Sequence, residues 1–313
     1  IVYGAAIWGR VGNMIKARND SSSVRIFSLA AYFTTFRHEY AGQKQGCVAA
    51  DYGFIKACSL GLLCKAVDSF YVPKEHRTLH ELDQIIVHYE SSKNILLDEV
   101  DTLDPAKIVK IPYYIDLYER QGVAAPRSTS FRKKITCICR QDPRKGINFL
   151  LRAVQHLKAA GRDFECIIAG DGPFRAANER LARKLGVTDR VSFPGFVSSV
   201  EEVLDDTDIF VFPSVEEGSG AISLLEAMHK GLPIITTRCD GIPEDFDHER
   251  SGLLVEPGNP IELADAIDRL LVDQELARDL GREVKLDFDK NFNLAGMTIG
   301  IEQALSCLDF SSI

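Results

Sequence analysis

The sequence predicts an α/β protein of two halves, each a parallel sheet covered by helices. Three observations carry that expectation. From about Lys134 onward, short apolar runs rich in β-branched residues alternate with segments whose apolar residues recur at helical spacing. The length of 313 residues accommodates two domains at ~100–200 residues each. Between the halves lies QGVAAPRSTS (121–130), whose Gly, Pro and Ser mark a linker. The expected organisation is a first domain over 1–125, a second over 131–290 and a C-terminal helix over 291–313.

In the second half KITCICR (134–140) reads as a strand, followed by Ile147, Leu150, Leu151, Val154 and Leu157 on one helical face. The pattern repeats: FECIIAG and a helix at 175–185, RVSFPG and 198–206, DIFVFPS and 220–230, PIITT and a short turn, SGLLVE and 260–272. Such a rhythm implies a Rossmann-like parallel sheet with helices on both faces. The first half reads more weakly in the same way. IVYGAA, VRIFSLA, QIIVHY and KIVKIP are candidate strands, and 10–18, 44–66 and 91–99 are candidate helices. With so few strands this first sheet is expected to be incomplete. The chain opens at Ile1 already looking like the middle of a domain, so a truncated or trimmed N-terminus is expected.

Charge and composition narrow the function. Lys and Arg total 37 against 45 Asp and Glu, a net charge of −8, which disfavours a nucleic-acid binder with its basic face. The most apolar stretch, Cys47 to Val67, is broken by Asp51, Lys56 and Lys65, so it is a buried helix rather than a membrane span. The eight cysteines contain no C-x-x-C pair, and several sit in apolar runs. That usage fits reduced thiols in the cytoplasm.

In parallel sheets ligands bind beyond the carboxyl ends of the strands, so the loops after strands carry the chemistry. CRQDPRKG places Arg140 and Lys145 around a proline turn. Arg can bind a diphosphate bidentately and Lys as a point charge; the alternative is a solvated surface pair. Arg144 beside them is expected to be merely exposed. In PSVEEGSGAISLLEAMHKG (213–231) a Gly/Ser-rich turn leads into a helix opening near Gly220, so Gly218, Ser219 and Gly220 would present free N–H groups to an anion. Glu226 is the one charge in an apolar part of that helix. As a buried acceptor it suits the vicinal hydroxyls of a ribose, the alternative being an ion pair with a neighbouring Arg or Lys.

These segments resemble the family-4 glycosyltransferases, retaining nucleotide-sugar transferases of the GT-B fold. The likeness is strongest over 134–275, where CRQDPRKG, IIAGDGPFRAANERLARKLGVTDRVSFPGFV, DIFVFPSVEEGSGAISLLEAM, GLPIITTRCDGIPED and SGLLVEPGNPIELADAI fall in the family's order. It implies two Rossmann-like domains facing a cleft, with Arg140 and Lys145 on the donor's pyrophosphate and Glu226 on the ribose. It also implies that Glu217 lies by the transferred sugar and that the turn Gly195, Phe196, Val197 lies near the base. Without the family, Glu217 would be a solvated turn residue and the GFV turn an ordinary strand end. The family separates its two glutamates by seven residues, whereas eight lie between Glu217 and Glu226. In the first half LDQIIVHYESSKN and VKIPYYIDLYER resemble the acceptor domain, with Tyr113 and Tyr114 in place of an Asn-Gly turn. The family's catalytic His falls near Ala30, and its opening glycine-rich loop is absent. His38 is a candidate substitute, set against an ordinary loop histidine.

The acidic triplets at 206–208, 245–247 and 287–289 match a metal-holding pattern but lack its post-strand setting, so no metal is expected. GDGPFR (170–175) partly matches a dinucleotide fingerprint, but Arg175 stands where a small residue is required, which disfavours a nicotinamide cofactor. The seven histidines show no metal-ligand spacing, and Cys137 and Cys139 share one strand face as structural thiols. The expected activity is transfer of a sugar, with retention and without a metal, from a nucleotide-diphosphate sugar to a glycan, lipid or small-molecule acceptor. It belongs to glycan biosynthesis, in the cytoplasm or peripherally at the inner membrane face. A sugar-nucleotide epimerase of the same fold and a non-catalytic nucleotide-sugar binder remain as alternatives.

Overall fold

The computed structural model describes residues 2–3, 26–28, 79–111, 114, 132–217 and 222–306. The candidate helices at 10–18 and 44–66, the linker at 121–130, Ala30 and His38 lie outside the described residues. The described chain falls into two compact units, one containing the residues up to and including Tyr114 together with those from Asn291 onward, the other containing 132–217 and 222–290.

The first unit holds a parallel sheet in the order β1 (Val2–Tyr3), β2 (Ile26–Ser28), β3 (Gln84–Val87), β4 (Ile108–Lys110). These are the cores of the four runs read as strands. All of β3 is buried, and its side chains pack with those of α1 (Glu90–Glu99), Val100 and Leu103. His88, just past β3, donates from Nδ1 to the Ile111 carbonyl at 2.9 Å and ties the ends of β3 and β4 together. The last described helix, α8 (Leu294–Ser306), belongs to this unit: Met297, Ile301 and Ala304 pack on Ile86, Val109 and Ile111.

In the second unit six parallel strands run in the order β10-β9-β8-β5-β6-β7. They are β5 (Lys133–Ile138), β6 (Phe164–Ala169), β7 (Val191–Gly195), β8 (Ile209–Phe212), β9 (Ile234–Thr237) and β10 (Leu253–Val255), with α2 (Ile147–Ala159), α3 (Arg175–Leu185), α4 (Val200–Asp205), α5 (Ile222–His229), α6 (Pro260–Val272) and α7 (Gln274–Asn291). The spans 175–185 and 260–272 match the sequence reading. The expected helix at 198–206 begins later because Ser199 caps it, its Oγ accepting from Glu202 N–H at 3.2 Å. The apolar face of α2 meets Ile135, Cys137, Cys166 and Ile168 of the sheet, with α6 beside it. Helix α7, which has no counterpart in the sequence reading, buries Leu280, Gly281, Val284 and Phe288.

β5 lies at the centre of this order, with β6 on one side and β8 on the other. The chain winds outward through β6 and β7, then returns to β8 and winds the other way. The loops after β5 and β8 therefore diverge at a topological switch point, where such sheets open a crevice for ligands. Among the described residues no helix is long and apolar enough to cross a membrane.

Candidate functional site

Backbone contacts weld the loop after β5 to the loop after β8. Gly146, which ends the turn Pro143–Lys145 and opens α2, has φ +65°, and a Cβ there would stand 1.9 Å from the Pro213 carbonyl oxygen. Only glycine meets both demands. The Arg144 carbonyl accepts three donors from the facing loop: Ser214 Oγ at 3.0 Å, Val215 N–H at 2.7 Å and Glu216 N–H at 3.3 Å. On the other flank Gly170, at φ +107°, approaches the Cys139 carbonyl. The buried Gln141 side chain donates to Gly170 O at 2.9 Å and accepts from Asn178 Nδ2 at 3.0 Å.

Held this way, Lys145 and Glu217 meet as an ion pair across the switch point. Both are buried, 8% and 7% exposed, and Lys145 Nζ sits 5.0 Å from the Phe212 ring centroid. Ser214 Oγ lies 3.4 Å from the same Glu217 oxygen. Two structural readings of the sequence change here. Lys145 is not an open cation at the sheet's mouth, because its turn tucks it under Ser214 and Glu217. Nor is Glu217 a solvated turn residue. The Glu217 N–H donates to Asp240 Oδ2 at 2.6 Å, and Thr237 Oγ1 donates to Ser214 O at 2.5 Å. Burial, with the Asp240 and Glu217 charges adding to it, pushes the Cys239 thiol well up, so it stays protonated and inert.

Arg140 is the accessible cation, its side chain 69% exposed and 3.9 Å from Asp142. Arg144, expected to be merely exposed, is half-buried; its side chain pairs with Asp142 at 3.3 Å and its main chain is the node described above. Glu226 is half-buried rather than buried, since its helix keeps one side open. Desolvation raises its carboxyl pKa. The expected alternative, a pairing with Arg or Lys, does not occur among the described residues. Ser223 Oγ donates to Ile138 O at 2.6 Å, pinning the first turn of α5 to the end of β5. Gly218, Ser219 and Gly220 lie outside the described residues. Gly195, at φ +82°, accepts from Gly170 N–H at 2.7 Å, while Phe196 beyond it is 81% exposed and Val197 partly so.

The acidic triplets are occupied elsewhere. Asp206 pairs with Lys134, and Asp208 with Lys133 at 3.1 Å, at the amino end of β5 and β8. Asp247 and Asp287 hold Arg250, and Asp289 holds Lys285. Among the described residues no cluster of His, Cys, Asp or Glu is arranged to hold a metal ion. Arg175 lies against Gly195 and donates to Phe193 O at 2.9 Å, filling the place a dinucleotide site keeps clear. Asp240 and Ser214 were missed by sequence reasoning. The only signal for Asp240 was an Asp-Gly step just after a strand.

In fold, the parallel α/β sheets are those of solved GT-B glycosyltransferases. Residues 132–273, a little under half of the chain, match the family model described as Glycosyl transferases group 1. An uncharacterized glycosyltransferase of Methanocaldococcus jannaschii is 32% identical over 243 residues, covering 72% of this chain and 61% of that protein. The GDP-mannose-dependent alpha-(1-6)-phosphatidylinositol monomannoside mannosyltransferase of Mycobacterium tuberculosis is 32% identical over 158 residues, 48% of this chain and 41% of the relative. The chain thus spans less than two thirds of either relative. In fold it is similar to sucrose-phosphate synthase from Thermosynechococcus elongatus (TM-score 0.73, 22% identity, 97% of this chain and 72% of that one). It is also similar to Anabaena HepE in complex with UDP-glucose (TM-score 0.70, 16% identity, 91% and 72%).

Proposed function

We propose that the second unit binds a nucleotide-diphosphate sugar and that the protein transfers the sugar, with retention, to an acceptor hydroxyl. The observation that carries this reading is the Lys145–Glu217 pair buried at the switch point of a group 1 glycosyltransferase domain, with Arg140 on the same loop. Arg140 and Lys145 would hold the diphosphate, and Glu217 the transferred sugar. Glu226, half-buried and without a cation among the described residues, would accept from the ribose hydroxyls, and the Gly195–Val197 turn would lie by the base.

The reaction turns on the leaving group. Negative charge grows on the nucleoside diphosphate as the glycosidic bond breaks, and cations fixed beforehand in a partly dry site stabilise it without reorganising. Arg140 and Lys145 are two such cations, so the reading needs no metal. Glu217 is committed to Lys145 in the free chain, and no second carboxylate is assigned to a covalent double displacement. The face-retaining route proposed is therefore a same-face substitution. The acceptor is a glycan, lipid or small molecule. The mycobacterial relative's name specifies a phosphatidylinositol monomannoside, and an acceptor of that kind would bring this chain to the inner membrane face.

A thermal-shift screen of UDP-, GDP- and ADP-hexoses tests the reading. A donor at ~100 times its Kd stabilises by ~2.7 kcal/mol. No stabilisation by any of them would overturn it.

A further inference from the structure

We infer that Asp240 is a positioning residue that holds the Glu217 turn, and through it the recognition of the donor's sugar. This rests on the donor-binding reading above. Glu217 stands at the end of the described part of the loop after β8, with four residues between it and the opening of α5 at Ile222. A carboxylate on such a turn keeps a fixed reach only if the main chain beside it is pinned. The Arg144 carbonyl holds the N–H of Glu216, and at Glu217 itself the pin is the hydrogen bond from its N–H to Asp240 Oδ2, 2.6 Å long and 23 residues away in sequence.

The backbone of Asp240 supports this assignment. Its φ is +47°, in the left-handed region where a residue with a Cβ is uncommon and glycine costs nothing. A glycine does follow, but Gly241 takes an ordinary negative φ. The strained position thus carries the carboxylate, and the permissive residue stands next to it. Asp240 also sits at the carboxyl end of β9, beside Thr237, whose hydroxyl donates to Ser214 O. The loop after β9 therefore grips the loop after β8 at both Ser214 and Glu217. The grip on Ser214 is a neutral hydroxyl to a carbonyl, while that on Glu217 is charge-assisted and hence the stronger.

The test compares wild type, Asp240→Gly, Asp240→Asn and Glu217→Gln by calorimetry with UDP against UDP-glucose and GDP against GDP-mannose, with thermal unfolding alongside. The quantity read is the affinity for the sugar conjugate divided by that for the diphosphate. Asp240→Gly should lower it about tenfold, the size of one charge-assisted hydrogen bond, as Glu217→Gln also does. Glycine relieves the left-handed backbone, so its Tm should not fall. Asp240→Asn, which still offers an oxygen and tolerates that φ, should keep the wild-type ratio. An unchanged ratio in Asp240→Gly while Glu217→Gln lowers it would overturn this inference alone. So would loss of both ligands together with a fall in Tm, the mark of a merely structural residue. Failure of the wild-type chain to bind any conjugate, or an unchanged ratio in Glu217→Gln, would instead overturn the donor-binding reading beneath it.

Discussion

Arg140 and Lys145 are five residues apart and share a proposed ligand, yet the structure gives them opposite roles in stability. Arg140 is exposed, so Arg140→Ala should leave stability within about 0.5 kcal/mol. Lys145→Ala strands the buried Glu217 carboxylate and should cost about 3–5 kcal/mol. Adding Glu217→Gln to Lys145→Ala should recover most of that loss in urea denaturation. Both single variants should weaken a nucleoside diphosphate more than the bare nucleoside in calorimetry, since only the former presents phosphates. Glu226 gives the converse signature. Its carboxyl is raised by desolvation, so the folded state binds the proton more tightly than the unfolded one. Stability therefore falls as pH rises from the ordinary glutamate range through the raised value, and the full penalty is present above it. Glu226→Gln removes it. The variant should be no less stable at pH 7, yet bind a ribonucleotide less well and its 2′,3′-dideoxy analogue unchanged; equal losses for both would make Glu226 a structural residue. Residue types and loop positions were legible in the sequence here. That Lys145 and Glu217 face each other was not, because they are 72 positions apart and their meeting depends on strand order.

At the level of elements, periodicity carried most of the information. β6 with α3 and β10 with α6 alternate a short dense apolar run with a spaced one, and both helices match the reading residue for residue. α7 escaped notice because its apolar stripe is about one residue per turn, Leu276, Leu280, Val284 and Phe288, diluted by charges. The glycines that join elements are distinguished by contact rather than by dihedral angle. Gly146 and Gly186 have nearly the same φ, +65° and +68°, but a Cβ at Gly186 would meet nothing within 4 Å whereas one at Gly146 would strike Pro213 O. Gly186→Ala should therefore cost about 1–2 kcal/mol, the left-handed penalty alone. Gly146→Ala should cost clearly more and should also impair donor binding, because relieving the clash means separating the loops after β5 and β8. Equal costs in chemical denaturation would contradict this account. In the first sheet, burial lowers the pKa of His88. The unfolded state then takes up the proton first, so stability should drop as pH falls below about 6.5. His88→Gln should flatten that dependence in pH-resolved thermal unfolding.

Across the whole molecule, the two ends of the second sheet have different chemistry. At the amino end, carboxylates and lysines neutralise one another in partly exposed pairs. At the carboxyl end lie the buried pair, the accessible Arg140 and the half-buried Glu226. If a diphosphate is neutralised there by Arg140 and Lys145, EDTA should leave donor binding intact in calorimetry. Binding lost to EDTA and restored by Mg²⁺ or Mn²⁺ would refute that. The parallel sheet could be anticipated from the alternation of strand and helix, and the loops worth searching followed from it; the strand order that makes the switch point could not. How the loops interlock could not, since their bonds run largely through main-chain atoms, to which the side-chain pattern is blind.

The turn at Arg144 shows what that blindness implies. Its carbonyl receives three donors from the loop after β8, while its guanidinium pairs with Asp142, whose side chain is 14% exposed. A substitution at position 144 should therefore cost that one ion pair and leave the three main-chain bonds in place, so a catalogue of natural or engineered variants would report only the lesser of its two roles. Yet the path of the chain through that one peptide group fixes where Lys145 stands. Indispensable atoms can sit beneath a replaceable side chain, and a mutational map of this site would miss its hinge.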